Sequence, residues 1–164
     1  MVNIKNQHGL ALMVSLIMLL LMSLLAINSM KSTVLEEKIT ANYKNRNMAF
    51  QAAEAGLRAG EEFLAGPGNL PIFDGNLGRY QATTSGSPRW ESIDWYDSSK
   101  TANYTGLSYI ASQPLYIIEE LPSVRQAGES VGSGLEENSF YRVTTHAVGG
   151  TKSAEVILQS TFKR

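Results

Sequence analysis

Two histidines are the first residues to test for chemistry, and neither has the company that chemistry requires. His8 stands in a short polar stretch at the N-terminus and His146 in a run of alternating residues near the C-terminus, with no partner at ligand or triad spacing around either. His146 therefore reads as structural. The acidic residues fall in adjacent pairs, Glu36-Glu37, Glu61-Glu62, Glu119-Glu120 and Glu136-Glu137. Neighbours at i and i+1 do not converge on one point of a helix or a strand, so these pairs read as solvated surface rather than as a general acid beside a general base. Asp74-Gly75-Asn76 offers oxygen ligands for calcium, but the later positions of a calcium loop are missing and the tripeptide reads as a turn. No GxSxG, HExxH, Walker loop or GxGxxG occurs, and the absence of cysteine removes a thiolate nucleophile, a thiolate zinc site and a disulfide framework. No catalytic, cofactor-binding or metal-ligating residue is assigned, and the chain reads as non-enzymatic.

The chemistry that the sequence does offer is done to the chain rather than by it. The polar leader MVNIKNQHG stops at Gly9, directly before an apolar run. A peptidase working at the cytoplasmic membrane face needs a close backbone approach, and a residue without a Cβ provides one. From Asn6 to Met30 there is no Asp, Glu, Lys or Arg, and the eighteen residues from Leu10 to Ile27 are interrupted only by Ser15 and Ser23. With Asn28, Ser29 and Met30 they make a helix of roughly 30 Å at about 1.5 Å per residue, enough to cross a bilayer. Lys5 and the amino terminus precede it, which predicts a single pass with the N-terminus in the cytoplasm. No small-residue cleavage site closes the apolar run, so a conventional removable signal peptide does not fit.

Beyond the membrane the apolar rhythm continues through Ile39, Tyr43, Phe50, Ala53, Leu57 and Leu64, at spacings of one helix face. No proline occurs before Pro67, and Gly66-Pro67-Gly68 is the stop signal. One helix is thus expected over residues 10–65, with a transmembrane half at 10–30 and an amphipathic half at 31–65. Glu54 and Arg58 form an i,i+4 pair on its exposed side, and Ala49, Ala53, Gly56 and Gly60 form a stripe of small residues that another backbone can approach. All five prolines and 11 of the 14 glycines lie from Gly66 onward, so 66–164 is expected to be a loop-rich β domain. It ends in a hairpin over 139–162, in which Phe140–Val148 alternates, Gly149-Gly150 turns and Ser153–Phe162 alternates back. Val156, Leu158 and Phe162 share a face with Ala154 and are the expected hairpin core against the helix. Strands are also expected at Leu115–Leu121 and Tyr80–Thr84, with long loops over 85–112 and 122–138. The fold class is α+β, a long helix packed on an antiparallel sheet. Trp90, Trp95, Tyr96 and Tyr104 cluster in the first loop, either as a partner surface or as a roof on the core.

These features together resemble a known family. The leader ending at Gly9, the apolar start at Leu10 and the unbroken helix resemble the class III signal of type IV pilins and pseudopilins. Thr33-Val34-Leu35-Glu36-Glu37-Lys38, Asn42, Asn45-Arg46-Asn47 and the run Ala49-Phe50-Gln51-Ala52-Ala53-Glu54-Ala55-Gly56-Leu57-Arg58-Ala59-Gly60-Glu61 look like the N-terminal region of PilX-type minor pilins. Phe50, Ala53, Glu54, Gly56, Leu57 and Gly60 are its packing signature. Tyr141-Arg142-Val143-Thr144, Gly149-Gly150 and Ala154–Phe162 are similar to that family's C-terminal hairpin. The resemblance implies a pilin-like fold, cleavage of the 1–9 leader after Gly9 and methylation of the Leu10 amine by a prepilin peptidase. It further implies an inner-membrane subunit that enters an extracellular type IV pilus with other minor pilins, the major pilin and a tip adhesin, in support of adhesion and twitching motility. Two positions depart from the common pilin pattern: the mature chain starts with Leu10 in place of Phe, and Val14 stands where most pilins carry Glu. Ser23 and Lys31 lie where major pilins commonly place a helix breaker, so no melted segment is expected.

A type II secretion pseudopilin shares the leader and helix, and a signal-anchored periplasmic binding protein would use the aromatic loop as its site; Trp90, Trp95 and Tyr96 are the residues of that loop offered as a partner surface. Nucleic acid is not an expected partner, because 14 basic against 15 acidic side chains leave no basic footprint.

Overall fold

The computed structural model describes residues 8–81, 87–122 and 139–164. Two compact units divide at Tyr43/Lys44 within one helix, α1, which runs without interruption from His8 to Ala65. The first unit is the apolar half of α1. Its most apolar eighteen-residue window has a mean hydropathy of 2.8 and no buried residue. The two hydroxyls inside the run are satisfied within the helix, Ser15 Oγ donating to the Leu12 carbonyl at 2.8 Å and Ser23 Oγ to the Leu19 carbonyl at 2.7 Å. Neither therefore presents a bare polar group to an apolar solvent.

In the second unit, Lys44–Ala65 of α1 lies on a sheet built from β1 (Arg79–Gln81), β2 (Ala102–Asn103), β3 (Leu115–Glu120), β4 (Phe140–Val148) and β5 (Glu155–Lys163). The order is β1-β3-β4-β5, with β2 on the same edge of β3 as β1 but at the N-terminal end of that strand. The expected α+β class is the one observed. The sheet is mixed rather than purely antiparallel, since β1 runs parallel to β3. Physically, β1 is separated from β3 by a long crossover that holds a short helix, α2 (Arg89–Ser92), and β2, so no tight hairpin forces the opposite direction. That crossover is the expected 85–112 loop, which is thus less bare than its composition implies. Of the strand expected at Tyr80–Thr84, the observed β1 ends at Gln81, and 82–84 lie outside the described residues, as does most of the 122–138 loop.

Alternation along β4 sorts the domain into layers. Tyr141, Val143, Thr145 and Ala147 face α1, where Val143 joins Leu64, Phe73, Ile118 and Tyr141, and Ala147 joins Ala52 and Ala53. Residues opposite one another on neighbouring strands share a face, so Val156, Leu158 and Phe162 of β5 follow Ala147, Thr145 and Tyr141 onto the helix side. The other face carries Ile117 under Tyr80 and Trp95. The core is thus a helix, a sheet and a roof formed by the crossover.

The Gly149-Gly150 turn is a correction. The strands pair from Phe140↔Lys163 to Val148↔Glu155, so the connection is the six residues 149–154, and Gly149 N–H closes it by donating to the Ala154 carbonyl at 2.9 Å. Neither glycine has positive φ; a Cβ at Gly149 would instead run into the backbone of Asn45. Asn45 holds the turn to α1 by accepting from Thr151 N–H at 3.1 Å and donating to Thr151 Oγ1 at 2.6 Å. Glycine is needed there for contact, not for the turn.

Gly60 serves the same purpose further along. A Cβ there would stand 2.6 Å from Val143 Cγ1, and one at Gly56 would stand 2.5 Å from Thr145 Cγ2. The side chains facing them are β-branched and buried, with little room to turn. Gly60→Ala is therefore expected to destabilise the domain by about 1 to 3 kcal/mol despite alanine's better helix propensity. An unchanged denaturation midpoint would show that the helix can lift off the sheet at no cost.

Candidate functional site

Three places carry the residues singled out by the sequence: the first turns of α1, its sheet-facing stripe, and the roof on the far side of the sheet. Gly9 lies in the first turn, since α1 begins at His8. Leu10 is 69% exposed and Val14 50%, surrounded by exposed Leu12, Met13, Leu16 and Ile17, so apolar groups cover the whole circumference. A helix apolar on all sides has the pattern of one that spans a membrane or lies among other helices.

The packing signature divides between two faces. Ala53, Gly56 and Gly60 are buried and Leu57 is half-buried against the sheet side. Phe50, 44% exposed, and Glu54 point away, and Glu54 meets Arg58 at 3.8 Å across largely solvated side chains. Such an exposed i,i+4 pair contributes only a few tenths of a kcal/mol. Phe50 is the single apolar signature residue free to touch another chain.

On the far face, Trp95 is buried and stacks on His146 with ring centroids 5.2 Å apart, and its Nε1–H donates to the Trp90 carbonyl at 3.1 Å. Trp90 is half-buried over Tyr80 and Ile117, and Tyr104 is half-buried as well. Of the three aromatic residues offered as a partner surface, only Tyr96, 67% exposed, faces outward; Trp90 and Trp95 are spent on the roof. His146 is buried and does have a partner, the carboxylate of Glu155 on β5, which sequence spacing hid because the two meet across a hairpin. At the far end of the roof the 97–100 turn is held in shape by Asp97, which accepts from the Ser99 hydroxyl at 2.6 Å, Ser99 N–H at 2.9 Å and Lys100 Nζ at 3.1 Å. These donors, the Ser99 hydroxyl foremost, hold the Asp97 carboxyl down at about 2. Burial pushes the Tyr80 phenol up, and its hydroxyl donates to the Lys100 carbonyl at 2.7 Å.

A depressed folded-state value means stability that is present above the unfolded value near 3.8 and lost as pH falls toward 2. The tryptophan fluorescence of the roof is therefore expected to hold steady above about pH 4 and change between there and pH 2, with Asp97→Asn showing a smaller change. An identical acid transition in that variant would mean that the Asp97 turn does not support the roof.

Glu119 corrects the reading of the acidic pairs as surface. It is 2% exposed, with Arg89 Nε at 3.3 Å and Arg142 Nη1 at 3.9 Å, while Arg89 also lies over the Tyr80 ring at 4.3 Å. Strand alternation is the signal that was available: Glu119 pairs with Arg142 across β3–β4. Glu61 is also engaged, accepting from Ser160 Oγ at 2.7 Å, and Glu136-Glu137 lies outside the described residues. Asp74 gives one oxygen to Asn76 N–H at 3.1 Å and the other to Asn76 Nδ2 at 2.9 Å, and the Asn76 side chain is the main cause of its lowered pKa. That is an Asx turn.

The features that stand out among the described residues are an apolar helix, a small-residue seam and a hairpin closing the sheet. Family models match both parts of this arrangement: PilX N-terminal over residues 8–58, and type IV pilus assembly protein PilX C-terminal over 66–164. The chain belongs to the PilX family. PilX proteins are structural components of type IV pilus assembly, so this is a minor pilin with pilin partners, and its apolar helix fits an inner-membrane anchor. The resemblance drawn from the Ala49–Glu61 run and the C-terminal hairpin names that same family. Comparison with the curated proteins and with the solved structures returns no match.

Proposed function

We propose that this PilX-family subunit is a non-enzymatic minor pilin that joins the initiating complex and ends at or near the pilus tip. Before assembly its N-terminus is cytoplasmic and residues 10–30 span the inner membrane. A prepilin peptidase cuts after Gly9 and methylates the Leu10 amine, and the subunit then passes into the extracellular pilus with other minor pilins and the major pilin. There its loops meet a tip adhesin, and the filament serves adhesion and twitching motility.

The observation that carries the position is Val14. Where a pilin has Glu at this place, its carboxylate is taken to pair with the methylated amine of a subunit already in the membrane. A lone ionisable group in a bilayer costs about 2.5 to 3.5 kcal/mol on insertion scales, so it is retained where a partner waits. Val14 has nothing to offer a subunit above it, while the Leu10 amine can still receive the Glu of the next arrival. Such a subunit starts a filament more readily than it extends one. Gold labelling of the native protein is expected at filament ends, and Val14→Glu is expected to move label down the shaft with little loss of pili. Uniform labelling of the shaft by the native protein refutes the tip position.

A further inference from the structure

The two edges of the sheet are treated differently. On one side β3 is flanked by β1 and β2, three and two residues long, and the Gly78 carbonyl extends the pairing by accepting from Ile118 N–H at 2.6 Å. The other edge is β5, nine residues long. Which of its backbone groups face outward follows from the register. Ser139 and Arg164 exchange two hydrogen bonds, of 3.2 and 2.9 Å, and the pairing continues without a break from Phe140↔Lys163 to Val148↔Glu155. Alternation then gives the bonds to β4 to Val156, Leu158, Ser160 and Phe162. The amides and carbonyls of Glu155, Ile157, Gln159, Thr161 and Lys163 point the other way, and no backbone group of the described residues pairs with them. All five residues are exposed except Ile157, which is half-buried.

Sheet edges are ordinarily blunted by shortness, proline, a bulge or a charge along the strand. β1 and β2 use the first device. β5 uses none of them in its middle: it has no proline, its register is unbroken, and its charges, Glu155 and Lys163, stand at its two ends. Val156, Leu158 and Phe162 on its helix side are only half-buried, so the apolar layer over α1 also stops short at this edge.

We propose that β5 is completed by an extended segment of a different pilus subunit, which adds as a further strand and carries its apolar residues on the side of Val156, Leu158 and Phe162. The proposal rests on the reading that the chain is a filament subunit. The β5 of a second copy does not fit. β5 and the Lys44–Ala65 part of α1 run in the same direction, since Asn45 meets Thr151 before the strand and Gly66 meets Arg164 after it. Antiparallel joining of two β5 strands would turn those helices in opposite directions, whereas subunits drawn from one membrane share a direction. Parallel joining in register would bring Glu155 to Glu155 and Lys163 to Lys163, and like charges on neighbouring strands destabilise the pair.

The test uses the full chain in its own filaments. Immunoblotting of sheared filaments comes first: absence of the unaltered protein overturns the proposed function and the added strand with it. Hydrogen exchange, read amide by amide, is then compared between filaments and detergent-solubilised subunit. In the subunit the amides of Ile157, Gln159 and Thr161 are expected to exchange at least tenfold faster than those of Leu158 and Ser160, and in filaments to slow by at least tenfold. Slow exchange already in the subunit would mean that the chain closes its own edge, and equal rates in both states would mean that nothing pairs there; either overturns the added strand alone. Thr161→Pro removes one outward N–H without touching a bond to β4, and it is expected to enter filaments at least tenfold less than Thr161→Ala at equal cellular level. Equal entry overturns the strand, and the exchange of the unaltered protein decides the matter if the proline variant does not fold. Since the chain has no cysteine, Gln159→Cys reports a second copy: no disulfide-linked homodimer is expected in oxidised filaments, and its formation overturns the different subunit as occupant.

Discussion

Gly9→Val is expected to leave the protein at its unprocessed size in the inner membrane and absent from sheared pili. Gly9 sits in the first turn of α1, immediately before the apolar run that starts at Leu10. Cutting after it requires that this turn open and that the backbone lie flat against the peptidase. Glycine favours both, being about 1 kcal/mol less favourable than alanine within a helix and carrying no Cβ to hold the enzyme off. Valine adds a branched side chain at the point of closest approach, and a small misplacement at a reacting bond can cost on the order of a hundredfold in rate. Gly9→Ala should fall between the two. Mature-sized Gly9→Val protein in filaments would remove the leader from the mechanism.

Leu64→Ala is the substitution expected to cost the folded domain most. Leu64 is fully buried near the end of α1, in a cluster with Phe73, Ile118, Tyr141 and Val143, and half-buried Leu57, Phe63 and Phe162 close around it. Removing its branched end leaves a cavity that rigid strands on one side and the helix on the other cannot collapse, which costs about 2 to 5 kcal/mol. For a domain stabilised by about 5 to 15 kcal/mol that is a large fraction, and a thermal melt of the detergent-solubilised chain should drop by on the order of 10 °C. Leu158→Ala is a useful contrast. Leu158 packs beside Ala52 and Ala53 but remains half-buried on the last strand, so its truncation should cost less than that of Leu64. Equal losses would mean that the edge strand is as tightly packed as the centre.

The long helix was legible because its signals are local and numerous: no proline before Pro67, an unbroken apolar run and a Gly-Pro-Gly stop. The strands of the hairpin were legible from alternation, but their turn was not. Gly149-Gly150 carries the residue types of a tight turn, yet its glycines answer to Asn45, more than a hundred residues earlier, and such a constraint leaves no mark in the local pattern. The direction of β1 was hidden for a similar reason, since three residues paired across a long crossover have no periodicity to read. Glu119 and His146 show the limit most plainly. Each is a polar residue whose burial is decided by what covers its face, Arg89 for one and Trp95 for the other, and both covers come from a segment whose composition reads as loop. The aromatic cluster was visible as residues, but its division into a buried Trp95 and an outward Tyr96 needed the sheet beneath it.

The most direct test is the mass of the N-terminal peptide of this protein taken from sheared surface filaments. A processed pilus subunit gives a peptide that starts at Leu10 and is heavier than its sequence by one CH2, the net gain when a methyl group replaces an amine hydrogen. A peptide that still starts at Met1, or filaments that hold none of this protein, would show that the chain is not such a subunit.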